Sequence, residues 1–260
     1  MTQTVNQAAL AVLVPTALAG KHALVTGGSS GIGAATVRML AAAGARVAIG
    51  YLNGADRAES LRAELPGEGH ITLRLPLDDA EAQQAAAREI GEQFGKLDVL
   101  VHSAGYTRRI AHADIETLTP ELYNEILLAN AGGPYAITRA FMPWLKQSPE
   151  AVVLAVSSVS AFTGSGSNIA YCAAKAALDT TVRSLARAFG PIRFLSVSPA
   201  TVDTGFVPGR SPEDLQKNAA RTALGRVVSP EDVAQTVLAA VAMLKTATGV
   251  RLVIDGGHTL

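Results

Sequence analysis

The chain has 260 residues, with 22 basic and 22 acidic side chains in balance. That balance gives no electrostatic footprint for a nucleic-acid or anionic-membrane partner. The length suits one α/β domain with a sizeable core, and the single cysteine, Cys172, excludes an intrachain disulfide and fits a reducing cytoplasm.

Residues 1–20 read as an N-terminal extension ahead of a domain spanning residues 21–260. Its apolar run from Ala8 to Val14 has no basic residue before it, and Pro15 interrupts it soon after. A signal peptide needs a positive leader, and a membrane span needs about 20 apolar residues. From there, short apolar runs alternate with Ala-rich stretches of helical period. Strands are expected at 22–26, 46–51, 71–75, 97–102, 152–156, 192–197 and 250–254. Helices are expected at 32–43, 55–64, 80–94, 120–145, 171–189 and 230–245. This alternation predicts an α/β fold of the Rossmann kind, a doubly wound parallel sheet with helices on both faces. Residues 203–225, rich in Gly, Pro, Ser and charge, read as a binding loop or lid.

The first strand runs into Gly27-Gly28-Ser29-Ser30-Gly31-Ile32-Gly33, where a helix opens. Glycines let the backbone turn tightly and approach a pyrophosphate, and a helix N-terminus offers it unpaired N–H groups. Further on, Tyr171 and Lys175 stand at i and i+4 on one helix face. A free tyrosine has a pKa of about 10. A neighbouring ammonium lowers that value and fits the pair for acid/base work on a carbonyl oxygen. The five histidines are scattered, and no His/Cys pair has metal-ligand spacing, so no metal is expected.

Thr26-Gly27-x-x-x-Gly31-x-Gly33 and Tyr171-x-x-x-Lys175 together resemble the short-chain dehydrogenase/reductase family, whose fingerprints are TGxxxGxG and YxxxK. The resemblance runs from about Lys21 to Leu260. It implies an NAD(P)-dependent oxidoreductase moving a hydride between nicotinamide and a carbonyl or secondary alcohol. Asn130, Ser158, Tyr171 and Lys175 fill the family's four catalytic positions. By resemblance Tyr171 exchanges the proton, Ser158 holds the substrate oxygen, and Lys175 lowers the tyrosine pKa and binds the nicotinamide ribose. Asn130 supports a water-linked proton path. Ser157 is off by one in spacing, and Cys172 reads as packing. The family's enoyl reductases space Tyr and Lys further apart. A 3-oxoacyl-carrier reductase stays open as the substrate class, and a non-catalytic dinucleotide-binding protein is the alternative of another kind.

The resemblance also implies a cofactor set of Gly27, Ser29, Ser30, Gly31, Ile32, Gly33, Tyr51, Asn53, Leu77, Ser103, Ala104, Gly105, Tyr171, Lys175, Pro199, Val202 and Thr204. His102 and Ser103 replace two asparagines of the family pattern, which puts local bracing in question rather than catalysis. Pro76-Leu77 stands where the family carries an acid facing adenine, and Asp79 reads as a helix N-cap. No acid stands at the end of the second strand, around Tyr51-Leu52-Asn53, which favours NADP(H) over NAD(H). Arg57 is placed to reach a 2′-phosphate. Tyr106, Arg108, Arg109, Phe162 and Phe206 are candidate substrate contacts, although for the two arginines a solvated surface is the favoured reading. A symmetric homotetramer or homodimer is implied, with residues 120–145 and 171–189 at one interface.

Overall fold

The computed structural model describes residues 17–260. The expected extension therefore lies, for residues 1–16, outside the described residues. Seven strands form one parallel sheet: β1 (His22–Thr26), β2 (Arg46–Tyr51), β3 (Ile71–Arg74), β4 (Val99–His102), β5 (Val152–Val156), β6 (Arg193–Pro199) and β7 (Arg251–Ile254). Their order is β3-β2-β1-β4-β5-β6-β7, so the winding reverses between β1 and β4. In such sheets a crevice opens at that reversal, outside the carboxyl ends of the strands.

The helices are α1 (Gly31–Ala42), α2 (Ala55–Glu64), α3 (Ala80–Phe94), α4 (Pro120–Leu127), α5 (Gly133–Leu145), α6 (Ser160–Thr163), α7 (Ile169–Ala188), α8 (Pro212–Ala219) and α9 (Pro230–Ala242). The expected doubly wound architecture is present, with element bounds moved by at most three residues. Two differences have physical causes. The expected helix 120–145 is interrupted by a π segment, Leu128–Gly132, between α4 and α5. The expected loop 203–225 contains α8, which a Ser211/Asp214 capping box starts and Pro212 follows. None of the residues of α8 is buried.

The strands are apolar on both faces because both are covered. In β1, Ala23 and Val25 join the core under α1, α2 and α9, whereas Leu24 joins the core under α3, α5 and α7. The same alternation runs through β4, where Val99 and Val101 face one layer and Leu100 the other. Each fully buried Val, Leu or Phe contributes about 1.5–3 kcal/mol. Leu24, Leu40, Ile49, Leu100, Ile137, Phe141 and Phe194 are among the largest of them.

An ion pair ties α7 to the edge strand. Asp179 Oδ2 accepts from Arg251 Nη2 at 2.6 Å and from Nε at 2.8 Å. The Asp179 side chain is 3% exposed and that of Arg251 32%. Removing one partner of a buried pair costs roughly 3–5 kcal/mol, and the partial exposure of Arg251 sets the low end. Asp179→Ala is expected to lower stability by about 3 kcal/mol, a fall in melting temperature of roughly 6–12 °C. Calorimetry checks this, and an unchanged melting temperature would mean that the pair contributes nothing.

Candidate active site

The site begins where β1 ends. Thr26 Oγ1 accepts from the backbone N–H groups of Ser103 and Ala104, both at 3.1 Å. These bonds lock the end of β1 to the segment leaving β4, on either side of the winding reversal. The glycine turn is then pressed against that segment. Gly27 has φ +63°, and a Cβ on it would lie 2.9 Å from the backbone of Ala104. Gly31, at φ +50°, opens α1 with Thr204 Cγ2 only 3.3 Å from where a Cβ would stand. Ser30 is the N-cap in extended conformation, and its side chain makes no capping bond. The first-turn N–H groups of α1 therefore remain available to an anion. A cradle with no room for side chains, lying at a helix N-terminus, fits a dinucleotide pyrophosphate.

From this turn a cleft of about 910 Å³ runs to the start of α7. Of the cofactor and catalytic residues expected from the sequence, all but Gly33 and Asn130 line it. Gly33 lies beneath the turn, where a Cβ would fall 2.1 Å from the Gly27 carbonyl oxygen. It sets the closeness of α1 to the turn rather than touching the cleft. Asn130 is fully buried in the π segment, a feature frequent at functional sites. Its Nδ2 donates to Tyr106 O at 2.6 Å and to Ile126 O at 2.9 Å, and its Oδ1 has no partner. Asn130 thus ties the π segment to the loop after Gly105. At the adenine end, Asp79 is the α3 N-cap, accepting from Ala82 N–H at 2.9 Å, and Leu77 lines the cleft.

Around the end of β2 the cleft is lined by Arg57. Gly54 sits between Arg57 and Ser29: a Cβ there would lie 2.6 Å from Arg57 Nη2 and 2.8 Å from Ser29 Oγ. Tyr51 and Asn53 complete this corner, and no acid stands among them.

At the other end, Asn168 starts α7. Its Oδ1 accepts from Tyr171 N–H at 2.7 Å, and its Nδ2 donates to Arg108 O at 2.8 Å. Sequence reasoning missed this residue, although an Asn three places before a helical Tyr is an N-cap signal. Lys175 Nζ donates to Val156 O at 2.9 Å and lies 5.5 Å from the centre of the Tyr171 ring. Burial lowers the Lys175 pKa to about 8, with Asp179 opposing. Burial pushes the Tyr171 phenol above its ordinary value, and the Ser158 hydroxyl and the Arg210 charge partly offset this. In this arrangement the Lys175 ammonium is turned to the Val156 carbonyl. Ser158 Oγ donates to Ser160 Oγ at 3.1 Å, whereas Ser157 Oγ is turned to the Lys175 carbonyl at 3.5 Å.

His102 is buried, with Nε2 2.8 Å from Thr138 Oγ1. That hydroxyl donates to Pro134 O at 2.8 Å, so Nε2 carries the proton. Burial, with the Lys175 charge nearby, lowers the His102 pKa to about 3. It is a neutral brace between β4 and α5. Cys172 is buried, and burial raises its thiol pKa. Of the expected substrate contacts, Tyr106, Arg109 and Phe206 line the cleft. The Phe206 ring lies 5.9 Å from that of Tyr171. Arg108 and Phe162 do not line it: Arg108 bonds the Tyr106 hydroxyl, and Phe162 lies under the Arg251 guanidinium at 4.5 Å. Arg210, which the sequence did not single out, does line it. Among the described residues, no group of three or more His, Cys, Asp or Glu could hold a metal ion. No helix of the described residues is long and apolar enough to cross a membrane.

The chain is similar to known proteins over nearly its full length. A family described as enoyl-(acyl carrier protein) reductase matches residues 27–259. A Streptomyces violaceoruber protein, named as a ketoacyl reductase of the granaticin polyketide synthase, is 37% identical, covering 92% of this chain and 96% of its own. D-threitol dehydrogenase from Mycolicibacterium smegmatis is 34% identical, covering 94% of each chain. A short-chain dehydrogenase from Burkholderia cenocepacia J2315, solved with NADP, superposes with a TM-score of 0.86 at 32% identity. That likeness covers 94% of this chain and all of the other. With the glycine cradle, the Tyr–Lys helix and these relatives in agreement, the chain belongs to the short-chain dehydrogenase/reductase family and is an NAD(P)-dependent oxidoreductase acting on CH–OH and C=O groups.

Proposed function

We propose that the enzyme is an NADP(H)-preferring carbonyl reductase or alcohol dehydrogenase whose proton chemistry is done by Tyr171. One observation carries this reading: Ser158, Tyr171 and Lys175 line one end of a cleft whose other end is a glycine cradle at a helix N-terminus. The bound nicotinamide supplies or accepts the hydride. Tyr171 holds the proton at the substrate oxygen as general acid and base. Ser158 orients the same oxygen. Lys175, with a pKa drawn down to about 8, sits one helical turn behind the phenol to replenish its proton. Asn130 holds the π segment in place behind them. Residues 21–260 act as one unit carrying both cofactor and catalytic groups.

Arg57 and Ser29 beside Gly54 support the preference for a 2′-phosphate, because no acid is there to repel it. Fluorescence titration is expected to give tighter binding of NADPH than of NADH. Arg57→Ala is expected to erode that preference by about 10-fold or more, as charge-assisted hydrogen bonds of about 1.5–3 kcal/mol imply. Tighter binding of NADH by the wild type would overturn the preference but not the oxidoreductase.

The partner expected at the site is a small carbonyl or alcohol. Exposed Tyr135 on α5 and Ile169 on α7 support a symmetric homo-oligomer, a tetramer or a dimer, closing on that face. The lone buried Cys172 suits a reducing cytoplasm.

A further inference from the structure

We propose that the substrate carries a carboxylate or similar anionic group besides its reacting oxygen, and that Arg210 binds it. This deepens the reading above and rests on it.

Arg210 lies in the segment between β6 and α8 and lines the catalytic end of the cleft together with Tyr171, Ser158 and Phe206. Its side chain is half-buried, and one bond fixes it: Nη1 donates to Val202 O at 3.2 Å. A guanidinium has five N–H donors, so most of this fork remains unused. No carboxylate among the described residues comes within ion-pairing distance of it. Of the acids acting on it, Asp214 is already committed. Asp214 Oδ2 accepts from Arg109 Nη1 at 2.8 Å and from Ser211 N–H at 3.3 Å, where it closes the α8 capping box. Asp203 is exposed and makes no pair with Arg210.

Of the other cations of the cleft, Arg221 is exposed to solvent and three have assigned work. Lys175 is held on Val156 O, Arg109 on Asp214, and Arg57 stands at the far end beside Ser29. Arg210 is therefore a partly desolvated positive charge beside the catalytic phenol, with its fork open. Burial lowers its pKa and Arg109 nearby adds to this, with Asp214, Tyr171 and Asp203 partly opposing from beyond ion-pairing distance. Both costs are relieved when an anion enters, because a planar carboxylate matches the guanidinium fork in two parallel bonds. The ring of Phe206 beside Tyr171 offers an apolar contact for the carbon skeleton between the two polar ends.

The test compares oxo acids with their methyl esters. With NADPH, 4-oxopentanoate, 5-oxohexanoate and 3-acetylbenzoate would be assayed against the esters of the same three acids. The expected result is a kcat/KM preference for at least one acid of about 10-fold or more. Arg210→Gln should bring the acid-to-ester ratio towards one, chiefly through KM, and Arg210→Lys should restore part of it. In parallel, benzoate binding to the NADPH complex would be followed by calorimetry and should be lost in Arg210→Gln. Equal turnover of acids and esters by the wild type, with benzoate bound alike by both proteins, would overturn the proposal. If Arg210-dependent benzoate binding were seen with no reduction of any carbonyl, the anion site would stand and the carbonyl-reducing reading would fail. NADPH binding by each variant reports that the fold is intact.

Discussion

Tyr171→Phe is expected to cut turnover by about 10²- to 10⁴-fold, the contribution of a positioned general acid. The substitution removes one hydroxyl and keeps the ring, so the contact with Phe206, at 5.9 Å between ring centres, survives. The Asn168 cap on the Tyr171 backbone N–H is also untouched. The loss should therefore fall on kcat rather than on stability. Stopped-flow reduction with NADPH measures the chemical step, and fluorescence titration shows whether the cofactor still binds. A variant that bound cofactor and reacted at the wild-type rate would move the proton donor elsewhere, with Ser158 the nearest hydroxyl of the tetrad.

Gly33→Ala should damage both the fold and the cofactor site, although Gly33 does not touch the cleft. The added methyl would stand 2.1 Å from Gly27 O and 2.8 Å from Gly27 C. These are backbone atoms, and no side chain can swing aside to relieve them. Gly27 is itself held against Ala104, where Thr26 ties the two segments together. The strain must lift α1 off the turn. Overpacking costs typically 1–3 kcal/mol, and an overlap this deep sets the upper end, about 3 kcal/mol. The melting temperature should fall by roughly 6–12 °C, and NADPH affinity should fall with it, because the first-turn N–H groups of α1 move with the helix. Unchanged binding in a folded Gly33→Ala would mean that the closeness of α1 to the turn is not needed for the phosphates.

Much of the fold was legible because burial on both faces writes short apolar strands into the sequence, as Ala23-Leu24-Val25 and Val152-Val153-Leu154 illustrate. The cofactor and catalytic positions were legible because close backbone approach demands glycine and because an i, i+4 pair shares a helix face. Other features were hidden. The π segment at Leu128–Gly132 keeps a helical composition, so periodicity ran straight through it. Helix α8 has no fully buried residue, and its Ser211-Pro212-Glu213-Asp214 start is the clearest signal of it. Phe162 looked like a cleft residue by its nearness to Ser158 in sequence, yet it packs with Arg251. Arg210 belongs to no motif, and its place depends on how the segment after β6 folds back to Val202.

A helix with no fully buried residue has one further consequence. Helix α8 forms one wall of the cleft through Asp214 and Asn218, yet no residue of it belongs to either core layer. Its folding rests on a local capping box, which any sequence keeping Ser211 and Asp214 retains. Mutations along it can therefore accumulate with little thermodynamic penalty, since surface changes away from buried features usually stay within about 0.5 kcal/mol. The protein thus separates a tolerant wall of its cleft from its packed chassis: changes in one short segment could alter substrate contacts while sheet, cradle and proton donor stay fixed.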